Sequence, residues 1–336
     1  MRRIISLILL VLFFSCNDHP KAPDVSGIKI NLTTRRFEKE LFTLDTNKID
    51  TKLEQLIAKY PSFGENFIGT ILTTDPRWPR DSVNNYVRSF ISSYMPVYDT
   101  AEKVFADFTP YENEIKNSLQ YLQYYFPNYK APHNIITYIG PMDGYGDAIS
   151  EDAFIVGLHV HLGKKYSAYQ STWVQETYPA YVSNRFEPSY IVINCMSNVL
   201  SDLYPEKKDD KTLIVQMVEK GKRLYLLSKL LPNKEEYKLI GYTETQMKDC
   251  YKGESRIWEL FTQNNYLQSI DNDVIKNYVD EGPKTQELGE DAPGNIGSFT
   301  GWQIVKKYMD KNPKTTLPEL LNKDAEIIFQ EARYKP

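Results

Sequence analysis

Apolar residues recur at helical spacing along most of this chain, and proline stands just past one such run after another, at Pro61, Pro96, Pro110 and Pro127. Proline has no amide hydrogen and disfavours helix in the residue before it, so these positions punctuate a series of helices. The spacing predicts helices over residues 49–60, 82–95, 101–108 and 111–126, with Asp81 or Ser82 accepting the free amide hydrogens that open the second. After residue 163 the same period returns over 171–181, 190–204, 212–231, 244–264, 273–279, 301–309 and 317–333.

The middle of the chain changes period. Residues 134–140 (NIITYIG) and 154–162 (FIVGLHVHL) are rich in β-branched and aromatic residues, and the Gly- and Asp-containing stretch 141–152 between them fits a hairpin or a longer turn. Residues 28–32 alternate apolar and polar, as a short strand does. No internal repeat, low-complexity tract or Ser/Gly linker divides the chain. The predicted fold is α+β and mainly helical: one body over residues 28–336, with a small antiparallel or mixed sheet amid helices.

The first fifteen residues read as an address. Arg2 and Arg3 precede an apolar run too short to span a bilayer, and Ser15 supplies the small residue at the cut. Phe13-Phe14-Ser15-Cys16 then reads as a relaxed lipobox, with Cys16 acylated by palmitate-type chains and residues 16–27 (CNDHPKAPDVSG) forming a polar tether. The expected place is the cell envelope, lipid-anchored through Cys16, with the outer membrane favoured because Asn17 rather than Asp follows the cysteine. With Cys16 lipidated, Cys195 and Cys250 remain; in a chain long enough to build a core they are expected as buried thiols. A formal net charge of −4 gives no field for phosphate backbones, which excludes nucleic acid as the natural partner. Tyrosine, at 25 residues against 15 Phe, suits surfaces that bury a ring and keep a hydroxyl wet.

Candidate chemistry is sparse. Of four histidines His19 lies in the tether, leaving His133, His159 and His161. On a strand over 154–162, His159 and His161 share the wetter face, where an HxH pair can hold a metal with Asp143, Asp147 or Glu151 as oxygen donors; alone, two such residues fix no site. No HExxH, GxSxG or Gly-rich phosphate loop occurs. Gly294, Gly297 and Gly301 precede or open a helix and are read as close packing rather than an anion cradle. Glu219, with Lys222 and Arg223 at i+3 and i+4, is read as an exposed intrahelical pair.

Several segments carry a family resemblance. Arg36-Phe37 followed by Glu40-Leu41-Phe42, the Gly157-Leu158 strand ending at Leu162-Gly163, the helix start at Gly301-Trp302-Gln303-Ile304-Val305 and the end at Asp324-Ala325-Glu326-Ile327-Ile328-Phe329 resemble the gliding-motility lipoprotein GldB family of Bacteroidetes-type bacteria. The resemblance runs from the lipobox to the last residue. It implies an envelope lipoprotein needed for gliding and linked to type IX secretion, partnered by proteins of those machineries, with no established catalysis and no cofactor. A fainter similarity is to gluzincin zinc peptidases, in which an HExxH helix is followed by a helix bearing a glutamate ligand. Here Cys195, Met196 and Val199 stand where the motif would be, and only Glu219 carries over, so that similarity implies a degenerate, pseudoenzyme peptidase layout. The leading expectation is a non-catalytic scaffold or partner-binding subunit. The rival is a metal-dependent hydrolase using His159, His161 and Glu219 or another acidic neighbour, or a pseudo-peptidase groove that binds peptide or glycan.

Overall fold

A computed structural model describes residues 22–206 and 211–336. Cys16, His19 and the expected signal segment lie outside the described residues. Thr33–Arg36 (β1), Asn134–Tyr138 (β2), Ala148–Ile149 (β3) and Ala153–Gly157 (β4) form one sheet in the order β1-β2-β4-β3. β1 runs parallel to β2, with Thr33 opposite Asn134, and β2 parallel to β4, with Asn134 opposite Ala153. Only β3 is antiparallel, against β4. Parallel neighbours need both faces covered; accordingly every residue of β4 is buried.

The sheet departs from the sequence reading at its first strand and at the end of its last, and between them it contains both a hairpin and a longer connection. The first strand is Thr33–Arg36 rather than residues 28–32; the Ile28 carbonyl accepts from the Gln120 side chain at 2.8 Å. The tight hairpin joins β3 to β4, where the Ser150 amide donates to the Ala153 carbonyl at 2.8 Å; β2 and β4 are linked by the longer route. The strand predicted over 154–162 stops at Gly157, and Leu158–Val160 winds into a 3-10 turn.

Helices α1 (Phe37–Phe42), α2 (Ile49–Lys59), α3 (Gly64–Asn66), α4 (Arg80–Val104) and α5 (Thr109–Tyr125) carry the chain from β1 to β2. Beyond the sheet come α6 (Thr172–Thr177), α7 (Ala180–Ser183), α8 (Ile191–Leu203), α9 (Leu213–Leu230), α10 (Glu236–Ile240), α11 (Glu244–Lys252), α12 (Glu254–Gln263), α13 (Asn272–Val279), α14 (Ile296–Lys311), α15 (Leu317–Asn322) and α16 (Ala325–Ala332). Pro96 does not end a helix: α4 runs through it, fusing the runs predicted over 82–95 and 101–108. An internal proline costs about 3 kcal/mol, but the buried stripe of Val87, Phe90, Ile91, Val97 and Ala101 continues across it, and each large member contributes about 1.5–3 kcal/mol. Three long predicted runs are instead cut. Gly253 separates α11 from α12, Pro179 separates α6 from α7, and Asp324 opens α16 by accepting the amides of Glu326 and Ile327 at 2.9 and 3.1 Å.

The helical half is organised around α9 and α14, which touch backbone to backbone. A Cβ placed on Gly301 would stand 1.7 Å from the Met217 carbonyl oxygen, and one on Gly221 would stand 2.2 Å from that of Gly301. Gly297 meets the Tyr278 carbonyl in the same way, and Gly294 that of Gly282. The glycines are therefore packing devices, as read from sequence. Chain entry is also packed: Val25, within the segment expected to be tether, is 4% exposed.

Candidate functional site

The loop from β2 to β3 is folded back onto the sheet by hydrogen bonds that side chains supply. The Tyr138 hydroxyl donates to the carbonyls of Tyr145 and Gly146 at 2.6 and 2.7 Å, the Tyr178 hydroxyl to that of Gly144, and the Met142 amide donates to the Tyr94 hydroxyl at 3.2 Å. Within this clasp lies His159. Its Nδ1 accepts the Gly140 amide at 3.1 Å and its Nε2 faces the Tyr145 carbonyl at 3.0 Å, so the partners assign a neutral ring protonated on Nε2. Room for the ring comes from two glycines: a Cβ on Gly157 would lie 2.8 Å from the imidazole, and one on Gly140 3.3 Å. Burial pushes the ring down to about 4, against a smaller upward pull from Asp147.

His161 is also buried. Its Nε2 meets Asp147 Oδ2 at 2.7 Å and its Nδ1 faces the Glu187 carbonyl at 3.2 Å. Both ring nitrogens of His161 thus face an oxygen. Asp147 gathers three donors: His161, the Asn194 amide at 2.8 Å and the Gly157 backbone N–H at 3.0 Å. Burial pushes this carboxyl up, but His161 and those hydrogen bonds together hold it below the usual carboxylate range. The placement corrects the expectation of a wetter strand face. β4 ends before the histidines, the 3-10 turn swings both rings inward, and neither exposes more than 1%.

Glu219 sits elsewhere, accepting from the Tyr204 hydroxyl at 2.8 Å and from Lys222 Nζ at 3.2 Å. The pair is not the exposed one expected. Lys222 is 1% exposed, and its ammonium also donates to the carbonyls of Leu321 and Lys323 at 3.4 and 2.6 Å, closing the C-terminal end of α15. Burial draws this lysine down, with Glu219 opposing.

The residues considered for a metal are engaged with protein partners or lie apart. Every ring nitrogen of His159 and His161 already faces a protein partner, and Glu219 is committed to Tyr204 and Lys222. Asp143, Glu151 and His133 are exposed, and among the described residues no three His, Cys, Asp or Glu side chains converge as a ligand set. On the peptidase-like layout, Cys195, Met196 and Val199 are buried core of α8. Cys195 and Cys250 are free and buried, the first thiol pushed well up by burial and the second to about 12.

An open groove of about 870 Å³ lies on the helical side, with Tyr181, Tyr190, Tyr237 and Tyr242 along it. Arg185 bridges it, donating from both terminal nitrogens to the Glu281 carboxylate at 2.8 and 2.6 Å. Gly241, at φ +82°, leaves space for that guanidinium, since a Cβ there would be 2.8 Å from it. The Tyr242 hydroxyl donates to the Gly294 carbonyl at 3.0 Å and ties the floor to the start of α14. Sequence reasoning missed Arg185, Glu281 and Asn194. The two ion-pair partners lie 96 residues apart and carry no joint signal. Asn194 did carry one, a lone amide amid Ile191-Val192-Ile193 and Cys195-Met196.

Fold and site together define a mainly helical α+β body with a sealed polar cluster and an open tyrosine groove; no helix among the described residues is long and apolar enough to cross a membrane. The chain belongs to the family described as gliding motility protein GldB, whose model matches residues 18–336, and it is a gliding-motility-related protein. No curated protein and no solved structure matches the chain.

Proposed function

We propose that the protein is a cell-envelope lipoprotein, held in the outer membrane by acyl chains on Cys16, that serves gliding and the linked type IX secretion apparatus as a non-catalytic body on which partner proteins dock. The carrying observation is a contrast between two places in the fold. The side chains with chemical potential, His159, His161 and Asp147, are buried and occupied by one another, by Asn194 and by backbone groups, leaving no face for a substrate. The tyrosine-lined groove is open, and its volume lies within the range of ordinary binding clefts. Tyrosine rings give apolar contact with a wet hydroxyl at small entropic cost, which suits an extended segment of a partner protein.

The test is Tyr181→Ala combined with Tyr237→Ala in cells that carry no other copy. Both side chains are half-buried at the groove, so melting temperature and envelope level should stay close to those of the parent, while colony spreading and secretion fall together. Normal spreading by a folded, normally abundant double variant overturns the docking reading.

A further inference from the structure

A second aromatic cluster lies where the chain enters the body. The sequence YLQYYFPNYK over residues 121–130 puts Tyr121, Tyr124, Tyr125, Phe126 and Tyr129 at the C-terminal end of α5 and in the turn beyond it. Tyr124 is 52% exposed and packs edge-on against Tyr125 with ring centroids 5.0 Å apart. The turn is held in shape: the Gln123 side chain donates to the Pro127 carbonyl at 2.6 Å, and the Tyr129 hydroxyl to Asp202 at 2.7 Å.

The entry point is fixed on the same helix. Gln120 Nε2 holds the Ile28 carbonyl at 2.8 Å, Val25 is buried three residues earlier, and Tyr124 follows Gln120 by one helical turn, on the same side of α5. Six Cα-to-Cα steps separate Cys16 from Ala22, the first described residue. Even fully extended they reach about 20 Å. A body of this size is roughly 50 Å across, so so short a leash cannot let it turn its other faces to the bilayer. From Ala22 the chain reaches buried Val25 in three residues and Ile28, held on α5 by Gln120, in six, which puts the end of α5 on the side nearest the anchor.

We propose that the end of α5, with exposed Tyr124 at its tip and half-buried Tyr125 and Phe126 behind it, rests in the headgroup layer of the membrane that holds the anchor. Rings of this kind settle at the boundary of hydrocarbon and water, with their hydroxyls on the wet side. Lipid would then hold the protein and the aromatic tip would set its orientation, leaving the groove facing a partner. The inference rests on the Cys16 anchor of the proposed function.

The experiment uses the mature lipidated chain reconstituted in phosphatidylethanolamine–phosphatidylglycerol vesicles containing a phospholipid with a diazirine near its glycerol end. After irradiation and digestion, adducts are expected to concentrate on the peptide containing residues 121–130. Tyr124→Ser combined with Phe126→Ser should leave sedimentation with vesicles unchanged and lower the adduct yield on that peptide at least fivefold. Sedimenting protein with no adducts on 121–130, or with adducts spread evenly to Trp78 and Trp173, two exposed aromatic residues outside this segment, overturns the docking, as does unchanged yield in the double variant. The anchor is judged separately: Cys16→Ser should abolish sedimentation, and a Cys16→Ser chain that still pellets fully overturns the lipid anchor instead.

Discussion

Protonation of His159 should separate the folded from the unfolded chain. In the fold, burial holds the imidazole down to about 4 against an ordinary 6.5, and the ring already receives the Gly140 amide on the nitrogen a second proton would need. Between those two values the unfolded chain binds a proton that the folded chain refuses. Stability therefore falls as pH falls from about 6.5 to about 4, and the group contributes no slope above or below that window. At about 1.4 kcal/mol per pH unit the separation amounts to about 3 kcal/mol, a large part of the roughly 5–15 kcal/mol that holds a domain together. His159→Gln supplies an amide that can still reach the Tyr145 carbonyl but cannot titrate. Urea unfolding of the Cys16→Ser body, followed at several pH values between about 7.5 and 4, should show the parent losing about 3 kcal/mol more than the variant, all of it below about pH 6.5. Parallel curves would refute the reasoning, since they would mean that the ring is solvated or protonated in the folded chain.

Other consequences follow from the packing. Gly301→Ala places a methyl against the Met217 carbonyl, backbone on backbone with no flexible neighbour to yield, and should destabilise the body by at least about 3 kcal/mol in thermal melts. Lys222→Met keeps the stem but leaves the carbonyls of Leu321 and Lys323 without their donor; a loss of about 1–3 kcal/mol by urea unfolding is expected, with α15 and α16 exchanging hydrogen first. Arg185→Ala breaks an ion pair whose Glu281 side is 53% exposed, so stability should move by less than about 1 kcal/mol. Cys195 and Cys250 should both resist a thiol reagent near pH 8 in the folded Cys16→Ser body and both react after unfolding; rapid reaction of either in the folded protein contradicts their burial.

The helical character of the chain was legible because apolar spacing is a local signal; α2, α5, α8 and α9 fall within a residue or two of their predicted ends. The errors lie where distant contacts outweigh local chemistry. Pro96 reads as a stop, yet the buried stripe of α4 carries the helix across it; residues 244–264 read as one helix, yet α11 and α12 divide at Gly253. The turn at Leu158 was hidden inside an unbroken β-like pattern, and its consequence was large, since it moved His159 and His161 from an expected wet face into the core. The glycine crossing of α9 and α14 was half visible: Gly294, Gly297 and Gly301 pointed to packing, but their partner Gly221 lies in a charged stretch, Glu219-Lys220-Gly221-Lys222, that gave no hint of it. Glu38 gave none either. It is fully buried, bonded to Arg36 and accepting from Thr137 at 2.6 Å, and burial raises its carboxyl; Arg36, one of the residues that carried the family resemblance, is thereby a structural residue that also donates to the Phe105 carbonyl at the end of α4.

The central claim is that this protein works by contact through the open groove while its histidines stay sealed. It is tested most directly by placing a photo-crosslinking side chain at Tyr181 in gliding cells and resolving the products formed on irradiation. One discrete adduct with an envelope protein of the gliding or secretion machinery, diminished when Tyr237 is also replaced by Ala, is the expected result. Cells that glide normally and yield no adduct from Tyr181 would contradict it.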